Sequence, residues 1–290
     1  MGKILVLELD NEYKMMRNTS NCDFCNYFKY SNKNIIQKIM KKSILFFSKK
    51  FLGNWSKKIK EYDMCILFDR GFNKLVTKFI KAQNPSCKTI LWLWNPISNR
   101  QESFMSDKNI DEIWTYDIND SRKYKIKFNT QFYNKELVND KCKVKEKYDI
   151  MFIGNNKGRN EIISRYKCEF DKLNLKSYIR VIDNYKENIK YEEYLNYLME
   201  SKALLEIVKE DVSGITLRAL EGIFFGKKLI TNNKFIKMYD FYNPNNIFIL
   251  EDDNLSNLKN FINSKYETID KTIIDYYDFE EWVNRFYKGE

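Results

Sequence analysis

Histidine is absent from all 290 residues, proline occurs three times and glycine nine. The missing histidine removes Ser-His-Asp and Cys-His catalysis, His-ligated metals and any imidazole general base. Chemistry must therefore fall to carboxylates, cations, hydroxyls, thiols or backbone amides. The scarcity of proline and glycine, with no low-complexity tract, excludes disordered and collagen-like classes. No run approaches the roughly 18 consecutive apolar residues a spanning helix needs. The opening Met1-Gly2-Lys3 leads into Ile4–Leu7, four apolar residues closed at once by Glu8 and Asp10, which is too short for a secretory signal. The six cysteines are thinly spread. Cys65 and Cys168 sit in or near apolar runs and read as small core residues. Cys22-x-x-Cys25 has no second CxxC and no histidine to complete a zinc site, so no metal is expected. The default is a reduced, cytoplasmic protein.

Apolar residues make up 43% and charged residues 31%, a soluble globular balance, and the length suits two domains that each bury a core. The net charge of +10 is concentrated. Between Tyr13 and Lys60 there are twelve basic residues against one acid, Asp23. Within this segment Ile35, Ile36, Ile39, Met40, Ile44, Phe47 and Phe51 recur at three- and four-residue spacing, an amphipathic helix pattern with lysines on the other face. Three uses fit: a solvated face on a domain core, a surface meeting anionic lipid, or nucleic-acid binding. The first two are compatible. Against the third, no helix-turn-helix, zinc-finger, RNA-recognition or KH signature is present.

Short apolar or β-branched runs alternate with helical patterns along the chain. Strands are expected at Ile4–Leu9, Met64–Phe68, Thr89–Leu93 and Glu112–Thr115, then at Asp149–Ile153, Tyr178–Ile182, Ala203–Val208, Lys228–Thr231 and Ile247–Leu250. Helices are expected at Asn73–Gln83, Asn160–Leu173, Tyr191–Ser201 and Thr216–Phe225. This alternation implies an α/β fold of parallel sheets with helices on both faces. The polar stretch Lys135–Lys147 reads as the boundary. The expected organisation is two Rossmann-like domains facing a central cleft, residues 1–146 (with the basic segment 13–60) and 147–275, followed by a C-terminal amphipathic helix in 276–290. Ligands of such sheets sit at the carboxyl ends of strands. Asp10, Asp69, Asn95 and Asp117 occupy those ends in the first half. Gly154-Asn155, Glu206 with the Glu210–Gly214 loop, and Asn232-Asn233 occupy them in the second. The Trp92/Trp94 alternation reads as a buried strand rather than a sugar-stacking platform.

The most informative stretch is Ala203–Asn233, ALLEIVKEDVSGITLRALEGIFFGKKLITNN: strand, loop, helix, glycine, strand. A helix starting near Ser213-Gly214, with Thr216 in its first turn, would offer backbone N–H groups to a phosphate. Arg218 lies in position to add a charge-assisted bond, Glu221 shares its face three residues on, and Gly226 stands at the C-cap. Ordinary structural roles, an N-cap and a surface ion pair, compete with these. On SGITLRALEGIFFGKKLITNN, on DIMFIGNNKGR (Asp149–Arg159) and on FYNPNNIFIL (Phe241–Leu250), the chain resembles GT-B-fold nucleotide-sugar glycosyltransferases of bacterial polysaccharide and lipopolysaccharide biosynthesis. The resemblance covers most of the second half and is weaker in the first, at IDEIWTYD and ILWLWNP.

That resemblance implies a donor nucleotide held by the second domain and a diphosphate held by helix amides and cations without a metal or other cofactor. It implies that Glu221 meets the ribose hydroxyls, that Gly226-Lys227 form the following turn, and that Gly154, Asn155 and Arg159 lie near the diphosphate. Retaining members often carry a glutamate where this chain has Ser213, which leaves the stereochemistry open. The chain has no Asp-x-Asp, the usual ligand of a diphosphate-bound divalent ion. With no histidine, the base that deprotonates the acceptor would be Asp69 or Asp10, Asp69 being preferred for its abrupt Asp69-Arg70-Gly71 exit. A lipid-linked or glycan acceptor would place the protein at the inner face of the membrane, met by residues 13–60. The alternatives are a nucleotide-sugar epimerase, which the lack of histidine disfavours, and a non-enzymatic basic adaptor for membrane or nucleic acid.

Overall fold

The computed structural model describes residues 2–9, 14–29, 52–138, 144–184, 187–209 and 212–288. The amphipathic pattern centred on residues 34–52 and Asp10 lie outside these, apart from Leu52. The chain forms two compact units, Met1–Thr130 together with Val283–Glu290, and Gln131–Trp282. The boundary expected near residue 146 falls inside the second.

The first unit runs β1 (Ile4–Glu8), β2 (Cys22–Asn26), β3 (Met64–Phe68), α1 (Lys74–Gln83), β4 (Lys88–Leu93), α2 (Asn99–Met105), β5 (Glu112–Thr115), α3 (Ile118–Tyr124) and β6 (Lys127–Phe128). Its sheet has the order β2-β1-β3-β4-β5-β6, every pair parallel. β1, β3 and β4 are apolar almost throughout because both their faces are covered. On one face Leu5, Leu7, Cys65, Leu67, Leu91 and Leu93 pack with Tyr27, Trp55 and, from α1, Val76 and Ile80. On the other, Trp92 and Trp114 meet the ring of Phe286 at centroid distances of 6.0 and 4.8 Å. Phe286 belongs to the C-terminal segment that completes this unit. There Arg285 donates from Nε to Asn129 Oδ1 (2.7 Å) and from Nη2 to Thr130 Oγ1 (2.9 Å), and the Tyr287 hydroxyl donates to the Gly2 carbonyl (2.6 Å). Trp92 is a buried strand residue, whereas Trp94 lies one residue past β4, half-buried against Phe68.

The second unit contains β7 (Tyr148–Asn155), α4 (Asn160–Lys172), β8 (Ser177–Ile182), α5 (Tyr191–Met199), β9 (Ser201–Glu206), α6 (Leu217–Phe225), β10 (Lys228–Thr231), β11 (Ile247–Ile249), α7 (Leu258–Asn263), α8 (Lys271–Tyr276) and the start of α9 (Phe279–Lys288). Its sheet is also wholly parallel, in the order β11-β10-β9-β7-β8. Both sheets thus place their second strand on one side of the first and the remaining strands on the other. The core on one face joins Ile150, Phe152, Ala203, Leu205, Ile230 and Phe248 to Ile163, Tyr166 and Phe170 of α4 and to Leu258 and Ile262 of α7.

Several expectations are corrected. Cys168 is exposed: the inward stripe of α4 is Ile163, Tyr166 and Phe170, and residue 168 falls off it. The helix expected over Tyr191–Ser201 ends at Met199, and Ser201 opens β9 while its hydroxyl caps the Tyr197 carbonyl at 2.7 Å. Cys22 and Cys25, three apart on β2, point to opposite faces. The FYNPNN segment has a structural use. Asn243 and Asn245 donate to the two carboxylate oxygens of Glu267 at 2.6 and 2.5 Å, and Asn246 exchanges two bonds with the Glu267 backbone. Among the described residues no helix is long and apolar enough to cross a membrane.

Candidate functional site

In each sheet the strand order reverses beside the first strand, and a parallel sheet opens a crevice at that point, outside the carboxyl ends of the strands. In the second unit the crevice lies between β7 and β9. β7 ends in Gly154-Asn155, and the chain then turns through Lys157 and Gly158, both with positive φ (47° and 80°), into α4. Two successive left-handed residues are strained for any side chain, and glycine at the second relieves half of that strain. The turn delivers Arg159 to the crevice. Its guanidinium donates from Nη2 to the Asn155 carbonyl (2.6 Å), from Nε to that of Asn156 (3.2 Å) and from Nη1 to that of Ile207. Arg159 therefore bridges the ends of β7 and β9.

Arg218 enters the same region from α6. Its Nη2 donates to the Ile153 carbonyl at 2.6 Å, and an added Cβ on Gly154 would lie 3.6 Å from that nitrogen. Both guanidiniums lie over the Phe152 ring, at 5.6 Å for Arg159 and 4.8 Å for Arg218. Burial lowers the pKa of Arg159, and the neighbouring positive charge of Arg218 lowers it further. Arg218 also loses hydration, but Tyr194, Glu221 and Glu206 more than compensate and raise its pKa. Among the described residues its buried Nε has no hydrogen-bond partner.

The start of α6 differs from the sequence expectation. The N-cap is Thr216, three residues beyond Ser213, with its hydroxyl accepting from the Arg218 N–H at 3.1 Å. Ser213 and Gly214 belong to the preceding loop, and both are buried. That loop is held by the strand-end residues Glu206, Asn232 and Asn233, which the sequence places at the carboxyl ends of their strands, and by Tyr239, which it did not single out. Asn232 exchanges two bonds with the Val208 backbone (2.7 and 2.9 Å), Asn233 donates to the Gly214 carbonyl (3.1 Å), and the Tyr239 hydroxyl donates to that of Ser213 (3.4 Å). At the centre is Glu206, the last residue of β9, 1% exposed. Its carboxylate accepts the hydroxyls of Thr216 and of Thr231, the latter at 2.5 Å. A lone acid in the apolar run ALLEIV was the available signal, because a buried carboxylate must find donors. At the far end of α6, Gly226 takes the C-cap with φ 62°, as its position predicted.

Glu221 lies one turn into α6 from Arg218 and is 3% exposed. Its Oε1 accepts the Tyr191 hydroxyl at 2.9 Å and its Oε2 that of Tyr194 at 2.5 Å. Burial raises its pKa, against the opposing effects of the Arg218 charge and the two phenols. The structure thus gathers Gly154, Asn155, Arg159, Thr216 and Arg218 at one crevice, with Ser213 and Gly214 in the loop beside it. Glu221 sits behind Arg218, facing α5.

In the first unit the corresponding crevice lies between β1 and β3. Glu8 ends β1, buried, with Oε1 3.3 Å from Arg70 Nε. Asp69 follows β3 and is 1% exposed. Its Oδ1 accepts the Trp94 N–H (3.3 Å), and its Oδ2 accepts Asn95 Nδ2 and Gln101 Nε2, each at 3.0 Å. Asp120 accepts the Ile97 N–H at 2.9 Å. The two carboxylates pin the segment from Trp94 to Gln101. Asp117 caps α3, accepting from the Asp120 N–H at 3.0 Å.

No family model matches the chain. No curated protein matches it either. Among solved structures it is similar to an alpha-glucosyltransferase in complex with UDP and a 13-mer DNA, at 11% identity and a TM-score of 0.41 over 80% of this chain and 78% of that one. It is also similar to NAD+-bound 3-phosphoglycerate dehydrogenase of Entamoeba histolytica, at 10% identity and a TM-score of 0.27 over 100% and 97% of the two chains.

Proposed function

We propose that this chain is a glycosyltransferase that moves a sugar from a nucleotide-activated donor, the nucleoside diphosphate lying at the β7/β9 crevice of the second unit. The observation that carries the reading is the approach of Arg159 and Arg218 over one Phe152 ring, at the end of β7 where Gly154 leaves the backbone bare. Burial and the charge of Arg218 disfavour the charged form of Arg159, and a bound anion relieves that cost. A diphosphate there meets charge-assisted donors in a partly desolvated setting. The same donors would stabilise the charge that develops on the leaving nucleotide. The segment SGITLRALEGIFFGKKLITNN, through which the chain resembles nucleotide-sugar transferases, supplies Thr216 and Arg218 to this crevice.

On this reading the diphosphate is held without a metal, by Arg159, Arg218 and the amides around Gly154, Asn155, Ser213 and Gly214. The acceptor is a lipid-linked or glycan hydroxyl in bacterial surface polysaccharide assembly. The basic segment 13–60 would bring the protein to an anionic membrane face, inside the cell. The base that deprotonates the acceptor is a carboxylate, since the chain has no histidine.

A thermal-shift panel of UDP, GDP, CDP, CMP and dTDP with EDTA present tests the donor site. One nucleotide is expected to stabilise the wild type, by about 2.7 kcal/mol at a hundred times its dissociation constant, and to lose that effect in Arg218→Ala. No shift with any nucleotide would sink the reading.

A further inference from the structure

Glu206 closes β9 and Thr231 closes β10, paired side by side in the parallel sheet. Each oxygen of the buried Glu206 carboxylate accepts a threonine hydroxyl, Oε1 that of Thr216 and Oε2 that of Thr231 (2.5 Å). Both hydroxyls also accept a backbone N–H two residues on. Thr216 Oγ1 accepts that of Arg218 (3.1 Å) and Thr231 Oγ1 that of Asn233 (2.9 Å). A hydroxyl has one proton, and here each directs it to the carboxylate and turns its lone pairs to an amide. An ionised carboxylate accepts at both oxygens. A carboxamide, with one acceptor oxygen and an NH2 group, serves only one of the two threonines in this way.

The two branches end at the groups that would receive the diphosphate. Through Thr216, Glu206 fixes the backbone N–H of Arg218, whose guanidinium reaches the Ile153 carbonyl at 2.6 Å beside Gly154. Through Thr231 it fixes Asn233, whose side-chain amide donates to the Gly214 carbonyl at 3.1 Å. One buried carboxylate thus ties the first turn of α6 and the Ser213–Gly214 loop to the ends of β9 and β10. A monophosphate is held by either group of donors alone. A diphosphate gains over it only where the cation and the loop amides are already held in register. Resting on the reading of the β7/β9 crevice as a nucleotide site, we infer that Glu206 is a positioning residue acting through Thr216 and Thr231, and that it sets the preference of the site for a nucleoside diphosphate over the monophosphate.

The test is equilibrium binding of UDP, UMP, GDP and GMP to the full chain, well below its melting temperature. For the base that binds, the wild type is expected to hold the diphosphate at least about tenfold more tightly than the monophosphate, a difference of about 1.4 kcal/mol. Glu206→Gln and Thr216→Val are expected to bring the two within about threefold, by weakening the diphosphate and leaving the monophosphate unchanged. Thr216→Ser, which keeps the hydroxyl, should keep the wild-type ratio. A purely structural loss lowers stability without moving that ratio in the folded protein. A wild-type ratio persisting in folded Thr216→Val would therefore overturn the inference and leave the nucleotide reading intact, as would a wild type that binds both phosphates alike. If Glu206→Gln fails to fold, the Thr216→Val and Thr216→Ser pair decides, since each leaves Glu206 the Thr231 hydroxyl. If none of the nucleotides binds, the nucleotide reading falls and the inference with it.

Discussion

Asp69 and Glu206 close β3 and β9, and both are buried acids in runs that are otherwise apolar. Such an acid is tolerated only where donors converge on it, so its partners define what it does. Asp69 receives three N–H groups from Trp94, Asn95 and Gln101. In this structure it holds the loop from Trp94 to Gln101, and the sequence reading also put it forward as a base. Asp69→Ala is expected to leave those donors without an acceptor, at about 1–3 kcal/mol for each that stays buried and unsatisfied. A urea titration should show a clear fall in midpoint, and Asp69→Asn, which keeps one acceptor, should fall less. An Asp69→Asn protein of unchanged stability that had lost the proposed sugar transfer would support it as the base. The strand-end positions of these acids were legible in the sequence. Their donors, 25 to 32 residues away for Asp69, were not.

At the level of elements, α6 was expected from its apolar spacing and from Gly226, and it forms between Leu217 and Phe225. Its start was misplaced because Ser213-Gly214 and Thr216 are all chemically plausible openings. The choice is made by Glu206, which takes the Thr216 hydroxyl as donor and so turns its lone pairs toward the Arg218 N–H. Thr216→Ala removes the cap, worth about 1 kcal/mol, and also takes from buried Glu206 one of its two hydroxyl donors. Thr216→Ser should retain most of the stability of the wild type in the same denaturant titration, while Thr216→Ala should not. An Ala variant as stable as the Ser variant would show that the cap is made by other means. The edge strand β2 escaped the sequence reading because it is only partly buried and carries no apolar run, and the two-residue β6 and the six- and seven-residue helices α2, α3, α7 and α8 carry too few turns of a period to be seen.

For the molecule as a whole, burial and pairing set how stability depends on pH. Hydrogen bonds from Tyr62 and Lys3 hold Asp23 below its ordinary value of 3.8, against the opposing effect of burial, and those from Lys81 and Thr89 do the same for Asp111. Asp149 is likewise lowered, by Lys202 and the Lys176 N–H. A lowered pKa contributes stability that is present above the unfolded value and lost as pH falls through the folded one. Glu221 has the opposite sign. Its folded pKa is raised above 4.5 by burial, so stability falls as pH rises from 4.5 through the folded value. Melting temperatures followed from pH 3 to pH 8 should decline on the acid side, below about pH 4. Glu221→Gln should abolish the wild type's decline just above pH 4.5. A variant with an unchanged profile in that window would show that Glu221 keeps the same proton affinity on folding.

The sequence by itself determined the α/β class, nine of the strands to within one or two residues and the basic character of segment 13–60. These follow from local periodicity and composition, which neighbouring residues carry together. It also brought Gly154, Arg159 and Arg218 to strand and helix ends, because parallel sheets fix which end of a strand meets the next turn. Only the tertiary structure decided which of those residues share a crevice, that Thr216 rather than Ser213 opens α6, and that the carboxylates of Asp69 and Glu221 are already engaged. These outcomes depend on hydrogen-bond partners contributed by other elements. A buried carboxylate binds whichever donors the packing brings to it, and no spacing along the chain records which those are.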